Sequence, residues 1–132
     1  LPAEVDRAFL HEVLLAREAL GSTAIGDGIA IPHVRNPVIL HLERPLVTLC
    51  FLERPVDFGA LDGQPVHALF SLVSPTARAH LQLLSRIAFA LRDADFKALI
   101  VRQASRDEIL AAAGRLDEAM AQRSAPTGAG AQ

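Results

Sequence analysis

Residues 17–33 read REALGSTAIGDGIAIPH and join the end of a predicted helix to two short predicted strands. Isoleucines and glycines recur through the second half of this run: Ile25, Gly26, Gly28, Ile29 and Ile31. β-Branched residues interrupted by glycines are typical of short strands connected by a tight turn. Pro32 has no backbone N–H to donate, so the second strand ends there or lies along a sheet edge. The run therefore predicts that His33 lies at a strand end, where the backbone opens into a loop.

The segment before this run has the periodicity of an amphipathic helix over residues 2–20. Its apolar stripe recurs at intervals of four residues, with two leucines beside it: Val5, Phe9, Leu10, Val13 and Leu14. Pro2 suits a first helical turn, and Gly21 suits the end of a helix. Arg17 therefore falls in the last turn, where a positive charge interacts favourably with the helix dipole.

Strand patterns dominate the middle of the chain, after a loop-like segment over residues 34–45. Residues 46–52 form a continuous apolar run of β-forming residues, which predicts a buried strand. Residues 54–58 contain a proline and predict a weaker strand, and an Asp-Gly pair at residues 62–63 marks a turn. Residues 66–73 predict a second strong strand.

Helix patterns dominate the second half. Ser74 is a capping residue followed by a proline, and it predicts the start of a helix over residues 74–91. The face of this helix that is expected to be buried carries Leu81, Leu84, Ile87, Ala88 and Leu91. A shorter helix is predicted over residues 94–103, and Ser105 with Glu108 forms a capping-box pair that begins the last helix.

Interleaved strands and helices in this order predict the α/β class, as an α/β/α sandwich in which helices flank a small mixed β-sheet. We expect one domain over residues 1–121. Residues 122–132 are predicted to be a disordered tail, because the end of the chain is rich in Gly, Ala and Pro and has no apolar period. The chain enters a helical pattern at once and without Met, so we expect it to be a fragment of a longer protein.

Composition restricts the class of protein. The 132 residues are 51% hydrophobic, enough for one buried core, and the net charge of −2 does not provide the basic stripe of a nucleic-acid-binding surface. The one cysteine, Cys50, excludes an internal disulfide and is compatible with a reducing cytoplasm. No apolar run reaches the roughly 18 residues needed to cross a bilayer. Acidic and basic residues among the first ten argue against a signal peptide.

The chain contains five histidines, at positions 11, 33, 41, 67 and 80. His11, His41 and His67 fit ordinary surface or packing roles. His33 differs because Pro32 stiffens the backbone that aims its ring. Strand ends that face loops are also where α/β folds place their sites. These residues alone leave a structural and a functional role for His33 open, and the nearby Gly-x-Gly pair is explained by turn geometry as well as by a phosphate cradle.

The whole run over residues 17–33 resembles the phosphorylation-site signature of the fructose/mannitol-type (type 2) enzyme IIA proteins of the bacterial phosphotransferase system. It is especially similar to their nitrogen-regulatory branch. Weaker similarity continues through residues 57–66 and 74–84 and covers nearly all of residues 1–120. Relative to the family, the first strand and helix are missing, which agrees with the expected fragment.

This resemblance implies a phosphotransferase that works through a phosphohistidine. His33 occupies the place of the family's phosphoryl acceptor, His80 that of its second histidine, and Arg17 that of an arginine that assists the site. Arg35 is a basic neighbour outside the motif. No cofactor is implied, and a zinc site on His33 and His80 is disfavoured because zinc requires three or four ligands.

The resemblance also implies partners: a histidine phosphocarrier protein as the phosphoryl donor, and an enzyme IIB domain or a regulatory target protein as the recipient of the group or signal. Nitrogen or carbon regulation is favoured over direct sugar transport. No nucleic-acid contact by this domain and no membrane insertion is expected, and the expected compartment is the cytoplasm. One position departs from the family, because Val34 follows His33 where the family has Gly or another very small residue. A β-branched residue disfavours positive φ and adds bulk, which keeps open the alternative of a non-catalytic regulatory protein-binding module with the enzyme IIA fold.

Overall fold

The computed structural model describes residues 6–33 and 44–124. Its elements follow in the order α1 Arg7–Leu20, β1 Ala24–Gly26, β2 Ile29–Ala30, β3 Leu46–Val56, β4 Val66–Val73, α2 Ala77–Arg92, α3 Ala94–Val101 and α4 Arg106–Ser124. The four strands form one sheet in the order β1-β2-β4-β3. β2 and β4 are parallel, whereas the β1/β2 and β3/β4 pairs are antiparallel. The predicted α/β class with a small mixed sheet is therefore confirmed.

The described chain divides into two compact units on either side of the bond between Ser85 and Arg86, within α2. The first unit holds the sheet, α1 and the start of α2. The second holds the rest of α2, α3 and α4. None of the described helices is both long and apolar enough to span a membrane.

The β1/β2 hairpin forms as its sequence predicts. Asp27 and Gly28 in its turn both have positive φ, of 57° and 78°, which is the conformation for which Asp-Gly pairs are selected in two-residue hairpins. The Asp62 carboxylate accepts a hydrogen bond from the Asp27 amide at 2.9 Å and another from the Gln64 amide at 3.0 Å. These two bonds lower the pKa of Asp62. The predicted turn at residues 62–63 thus also holds the hairpin.

β4 is the central strand, and its burial alternates regularly. Val66, Ala68, Phe70 and Leu72 are all at most 5% exposed, whereas the residues between them are half-buried. This is the pattern of a strand packed on a core on one face. The strand prediction for residues 66–73 is confirmed with the same bounds.

β3 corrects the prediction of a buried strand over residues 46–52. Within the described residues it pairs only with β4 and therefore lies at an edge of the sheet, and most of its side chains are exposed, including Cys50. β3 also continues to Val56, so it includes the first three residues of the weaker strand predicted over residues 54–58. Pro55 is compatible with this position, since an edge strand has backbone groups that need no ladder partner. The β3/β4 register shifts between Phe51 and Val56.

α1 begins later than its sequence pattern predicts, and the side chains that it buries differ from the predicted ones. Asp6 caps the helix by accepting a hydrogen bond from the Phe9 amide at 3.0 Å, and residues 1–5 lie outside the described residues. Leu10 is buried, but Phe9 is 44% exposed. The inward face therefore follows Leu10, Val13 and Leu14 at i, i+3 and i+4, and the predicted stripe was wrong by one residue at its centre. The helix ends at Leu20, before Gly21, as predicted.

α2 is capped by Thr76, because its Oγ1 accepts a hydrogen bond from the Ala79 amide at 3.1 Å. The predicted cap, Ser74, lies two residues too early. Ile87 and Leu91 are buried as expected, whereas Leu81 is 63% exposed and Ala88 is also exposed. His80 is also among the buried residues of this helix, although its side chain is polar.

In the second unit, polar side chains cap the helices and form ion pairs. Asp93 caps α3, and Ser105 caps α4 by accepting a hydrogen bond from the Glu108 amide at 3.2 Å. Arg102 pairs with Glu108 at 2.6 Å and, together with the Ser105 hydroxyl, lowers the pKa of that carboxyl. The buried side chains of this unit are Ile87, Leu91, Phe96, Ile100, Ala104, Ile109 and Ala112. α4 continues to Ser124, three residues into the expected tail, and residues 125–132 lie outside the described residues.

Candidate active site

Backbone hydrogen bonds on two sides fix the segment that leads into His33. The Ile31 amide donates to the Thr23 carbonyl at 3.0 Å, which continues the hairpin with β1. The Pro32 carbonyl accepts a hydrogen bond from the Leu72 amide at 3.0 Å, which continues the parallel ladder with β4. Pro32 needs no donor partner because it has no N–H. The chain is therefore held up to the residue before His33, as expected for a strand end.

The ring of His33 is oriented by the backbone. Its Nδ1 lies 2.6 Å from the Ile31 carbonyl oxygen. A carbonyl oxygen can only accept, so Nδ1 carries the proton in the neutral ring, and the lone pair is on Nε2. The group that orients the ring of His33 is therefore the backbone carbonyl of Ile31.

His80 lies in the first turn of α2 and faces His33. Its amide donates to the Thr76 carbonyl at 3.1 Å, its side chain is 7% exposed, and the two imidazole centroids are 5.2 Å apart with the rings inclined at 36°. Burial lowers the pKa of His80, and repulsion from a charged His33 lowers it further. The neutral form, with one N–H donor and one acceptor nitrogen, is therefore favoured. Two residues 47 positions apart in the sequence thus form one site.

Arg17 lies in the last turn of α1. Its Nη1 donates to the Gly21 carbonyl at 2.8 Å. Gly21 lies two residues before Thr23, whose carbonyl accepts the hydrogen bond from the Ile31 amide. The structure thus brings His33 and His80 together directly and links Arg17 to the segment between α1 and β1, while contact between Arg17 and a phosphoryl group stays a prediction.

Glu18, for which the sequence predicted no role, stabilises the connection between α1 and β1. Its carboxylate accepts hydrogen bonds from the Thr23 amide at 3.0 Å and the Thr23 hydroxyl at 2.6 Å. Thr23 in turn supports Ile31, whose carbonyl orients His33. The signal available in the sequence was a carboxylate in the last helical turn, five residues before a Thr that opens a strand.

Residues 3–113 match the family described as phosphoenolpyruvate-dependent sugar phosphotransferase system, EIIA 2. The chain belongs to the EIIA 2 family. It is 45% identical over 109 residues to the nitrogen regulatory protein of Bradyrhizobium diazoefficiens, which covers 81% of this chain and 67% of that protein. It is 47% identical over 96 residues to the nitrogen regulatory protein of Pseudomonas aeruginosa, which covers 71% of this chain and 60% of that protein. The chain therefore spans about two thirds of the length of these relatives.

Solved structures agree with this membership. The nitrogen regulatory protein IIA-Ntr of Neisseria meningitidis is 34% identical and superimposes with a TM-score of 0.66 over 80% of this chain and 72% of its own. The mannitol IIA of Escherichia coli is 23% identical, with a TM-score of 0.67 over 83% of this chain and 77% of its own, and shows a shared fold. The predicted mannitol/fructose-type enzyme IIA fold and the nitrogen-regulatory resemblance are both confirmed.

Two further histidines, His11 and His67, lie within the described residues of this EIIA 2 domain. His11 is exposed on α1. His67 packs against the hairpin turn, where a Cβ added to Gly28 would lie 2.3 Å from its Cδ2. His41, Arg35 and Val34 lie outside the described residues. Within residues 6–33 and 44–124, no three His, Cys, Asp or Glu side chains come together as a metal site would require.

Proposed function

We propose that this EIIA 2 domain accepts a phosphoryl group on Nε2 of His33 from the phosphohistidine of a histidine phosphocarrier protein. The hydrogen bond from Nδ1 to the Ile31 carbonyl supports this most directly. It leaves the lone pair on Nε2, and it stabilises the positive charge that develops on the ring when Nε2 forms a bond to phosphorus. No general base is required, since the nucleophilic nitrogen is already unprotonated.

Transfer between two histidines breaks one N–P bond and forms another of nearly equal energy. Catalysis therefore consists of aligning the two rings and stabilising the charge on the equatorial oxygens. The neutral His80 ring is buried beside His33 and has an N–H to donate to those oxygens. The N-terminus of α2 contributes a favourable dipole, and the guanidinium of Arg17 contributes a fork of charged donors.

We infer a regulatory output in preference to sugar transport. The two nitrogen regulatory relatives are 45% and 47% identical to this chain, whereas the fructose-specific EIIABC component of Bacillus subtilis is 33% identical over 80% of this chain and 16% of that protein. A solved complex of mannitol IIA with phosphorylated IIB, from E. coli, illustrates the transport alternative, in which a IIB domain exchanges the phosphoryl group with the IIA domain. The regulatory output instead requires a target that distinguishes the phosphorylated from the free His33. Either cycle would run in the cytoplasm, where phosphoenolpyruvate is made.

The deciding experiment incubates the full chain with phosphoenolpyruvate, enzyme I and the phosphocarrier protein and maps the modified residue by mass spectrometry at neutral to alkaline pH. We expect one acid-labile, base-stable phosphate on His33. His33→Ala should abolish uptake, whereas His11→Ala, which replaces an exposed histidine on α1, should not change it. Uptake that persists in His33→Ala would refute the assignment, and no uptake by the unmodified chain would favour the non-catalytic binding module instead.

A further inference from the structure

Ser74 carries a buried hydroxyl without a hydrogen-bond partner. It is the first residue after β4, is 6% exposed, and its Oγ pairs with no group in the described part of the chain. Buried hydroxyls are nearly always satisfied, so an exception calls for an explanation. Ser74 is also free of the capping role predicted for it, because Thr76 caps α2.

The sheet places Ser74 at the same end as His33. β2 and β4 run in parallel with Ala30 beside Leu69, and the hydrogen bond between Leu72 and Pro32 continues that ladder. His33 follows Pro32 directly, and Ser74 comes two residues after Leu72. Continuing this register places His33 level with Leu72, on a strand about 4.8 Å away, and Ser74 lies two residues, about 7 Å, further along at the same end of the sheet.

Ser74 also lies on the short connection that leads from this strand end to His80. Only two residues, Pro75 and Thr76, separate it from the first residue of α2. His80 is in the first turn of that helix, with its ring 5.2 Å from that of His33. Ser74 is therefore the first residue of the segment that links β4 to the helix carrying His80.

The start of α2 has two backbone amides without an intrahelical acceptor. The amides of Ala77 and Arg78 precede the first intrahelical hydrogen bond of α2, which runs from the His80 amide to Thr76, and the Thr76 side chain serves Ala79. A hydroxyl can donate as well as accept, so an acceptor oxygen that arrives at this strand end would give Ser74 a partner. A phosphoryl group on Nε2 of His33 offers three acceptor oxygens and no donor at neutral pH.

We propose that the Ser74 hydroxyl donates a hydrogen bond to a phosphoryl oxygen carried by His33. This inference rests on the proposed function and adds a phosphoryl-binding side chain to His80 and Arg17. The N–P bond of the donor breaks and the N–P bond to His33 forms, while the Ser74 O–H bond stays intact and no phosphoserine is made. The hydroxyl lacks a partner in the free protein because its partner arrives with the phosphoryl group.

Ser74→Ala separates this role from packing. It removes an oxygen that has no partner in the free protein, so the thermal midpoint of the unphosphorylated protein should not fall. Loss of a hydrogen bond to a charged group should slow transfer to His33 and reduce the equilibrium level of phosphorylation, each by about 10- to 100-fold. Ser74→Thr keeps the hydroxyl and should retain more of the transfer rate than Ser74→Ala. Ser71→Ala is the matched control, because Ser71 is half-buried in the same strand and pairs with Thr48 of β3.

The test measures transfer from phosphorylated phosphocarrier protein to the full chain, together with the thermal midpoint of the free and the phosphorylated form of each variant. We expect Ser74→Ala to reduce the difference between the two midpoints, whereas a packing role would shift both midpoints equally. Ser74→Ala that transfers like the unmodified chain, or retains more activity than Ser74→Thr, would overturn this inference alone. Failure of the unmodified chain to label His33 would overturn the proposed function with it.

Discussion

Replacing Gly28 with alanine should show how tightly the hairpin that supports His33 is packed. Gly28 has φ of +78°, and its carbonyl accepts hydrogen bonds from the His67 and Ala68 amides at 2.8 and 3.1 Å. An added Cβ would lie 2.3 Å from Cδ2 and 2.7 Å from Nε2 of the His67 ring, and 3.2 Å from the Pro65 carbonyl oxygen. Contacts this short require the ring or the hairpin to move.

Two costs add in Gly28→Ala. A non-glycine residue in the left-handed region costs about 1–2 kcal/mol, and overpacking costs typically about 1–3 kcal/mol. The free energy of unfolding should therefore fall by about 2–5 kcal/mol. With a urea m-value of about 1–3 kcal/mol per M, a loss of 3 kcal/mol would lower the urea midpoint by about 1–3 M.

Urea unfolding of Gly28→Ala and Gly63→Ala isolates the steric part. Gly63 has a similar φ of +73°, but a Cβ added there meets no heavy atom within 4 Å. Gly63→Ala should therefore lose only the conformational part, about 1–2 kcal/mol. His67→Ala combined with Gly28→Ala should recover part of the additional loss. Equal destabilisation by Gly28→Ala and Gly63→Ala would refute the reasoning, because it would mean that the His67 ring moves away at no cost.

Three further predictions concern the site. His80→Ala should slow phosphoryl uptake by about 10- to 1000-fold if its ring supplies one donor to the transition state, and an unchanged rate in a radiolabel transfer assay would make His80 a packing residue. Arg17→Ala should have a similar effect with Arg17→Lys intermediate, and a normal rate for Arg17→Ala would exclude charge stabilisation. Because burial and the charge of His33 lower the pKa of His80 from 6.5, the unfolded chain binds the proton more readily, so the free energy of unfolding should fall as the pH drops below about 6.5. His80→Gln should flatten this part of the urea-midpoint profile, and an unaltered slope would assign the titration to another group.

Local chemistry made the hairpin predictable from the sequence. Asp27 and Gly28 form a turn that few other pairs favour, and Pro32 removes one backbone donor from the strand for a reason that does not depend on the rest of the fold. The bounds of β4 were predictable as well, because its apolar run is bordered by turn residues. These features need only neighbouring residues for their explanation.

The predictions that were wrong concern side chains whose burial depends on segments distant in the sequence. β3 has an apolar sequence, but its place at the edge of the sheet leaves residues such as Val47, 37% exposed, in contact with solvent. The composition of a single strand does not determine its position in the sheet. In α1, Phe9 and Leu10 are equally apolar, and only the packing decides that Leu10 faces inward.

The candidate site was predictable only in part. The setting of His33 follows from its own segment, whereas its approach to His80 depends on the parallel pairing of β2 with β4, which no local pattern specifies. The family resemblance supplied that pair in advance. Ser74 was recognised for its capping chemistry, and only the hydrogen bond of Thr76 in the structure shows that its hydroxyl is available for another role.

The environment of the two histidines links phosphorylation to pH. In the free protein, burial and then repulsion from a charged His33 lower the pKa of His80, so its neutral form is favoured. A phosphoryl group on His33 brings negative charge to the same place, so it should raise the pKa of His80 above its value in the free protein.

This coupling is reciprocal. If phosphorylation of His33 makes His80 bind a proton more tightly, then protonation of His80 must favour phosphorylation of His33 to the same extent. The equilibrium between the phosphocarrier protein and His33 should therefore shift toward phosphorylated His33 as the pH falls toward the pKa of His80 in the phosphorylated state, and this shift should be absent in His80→Gln. A shift of equal size in His80→Gln would place the linked proton on the phosphoryl group or on the phosphocarrier protein.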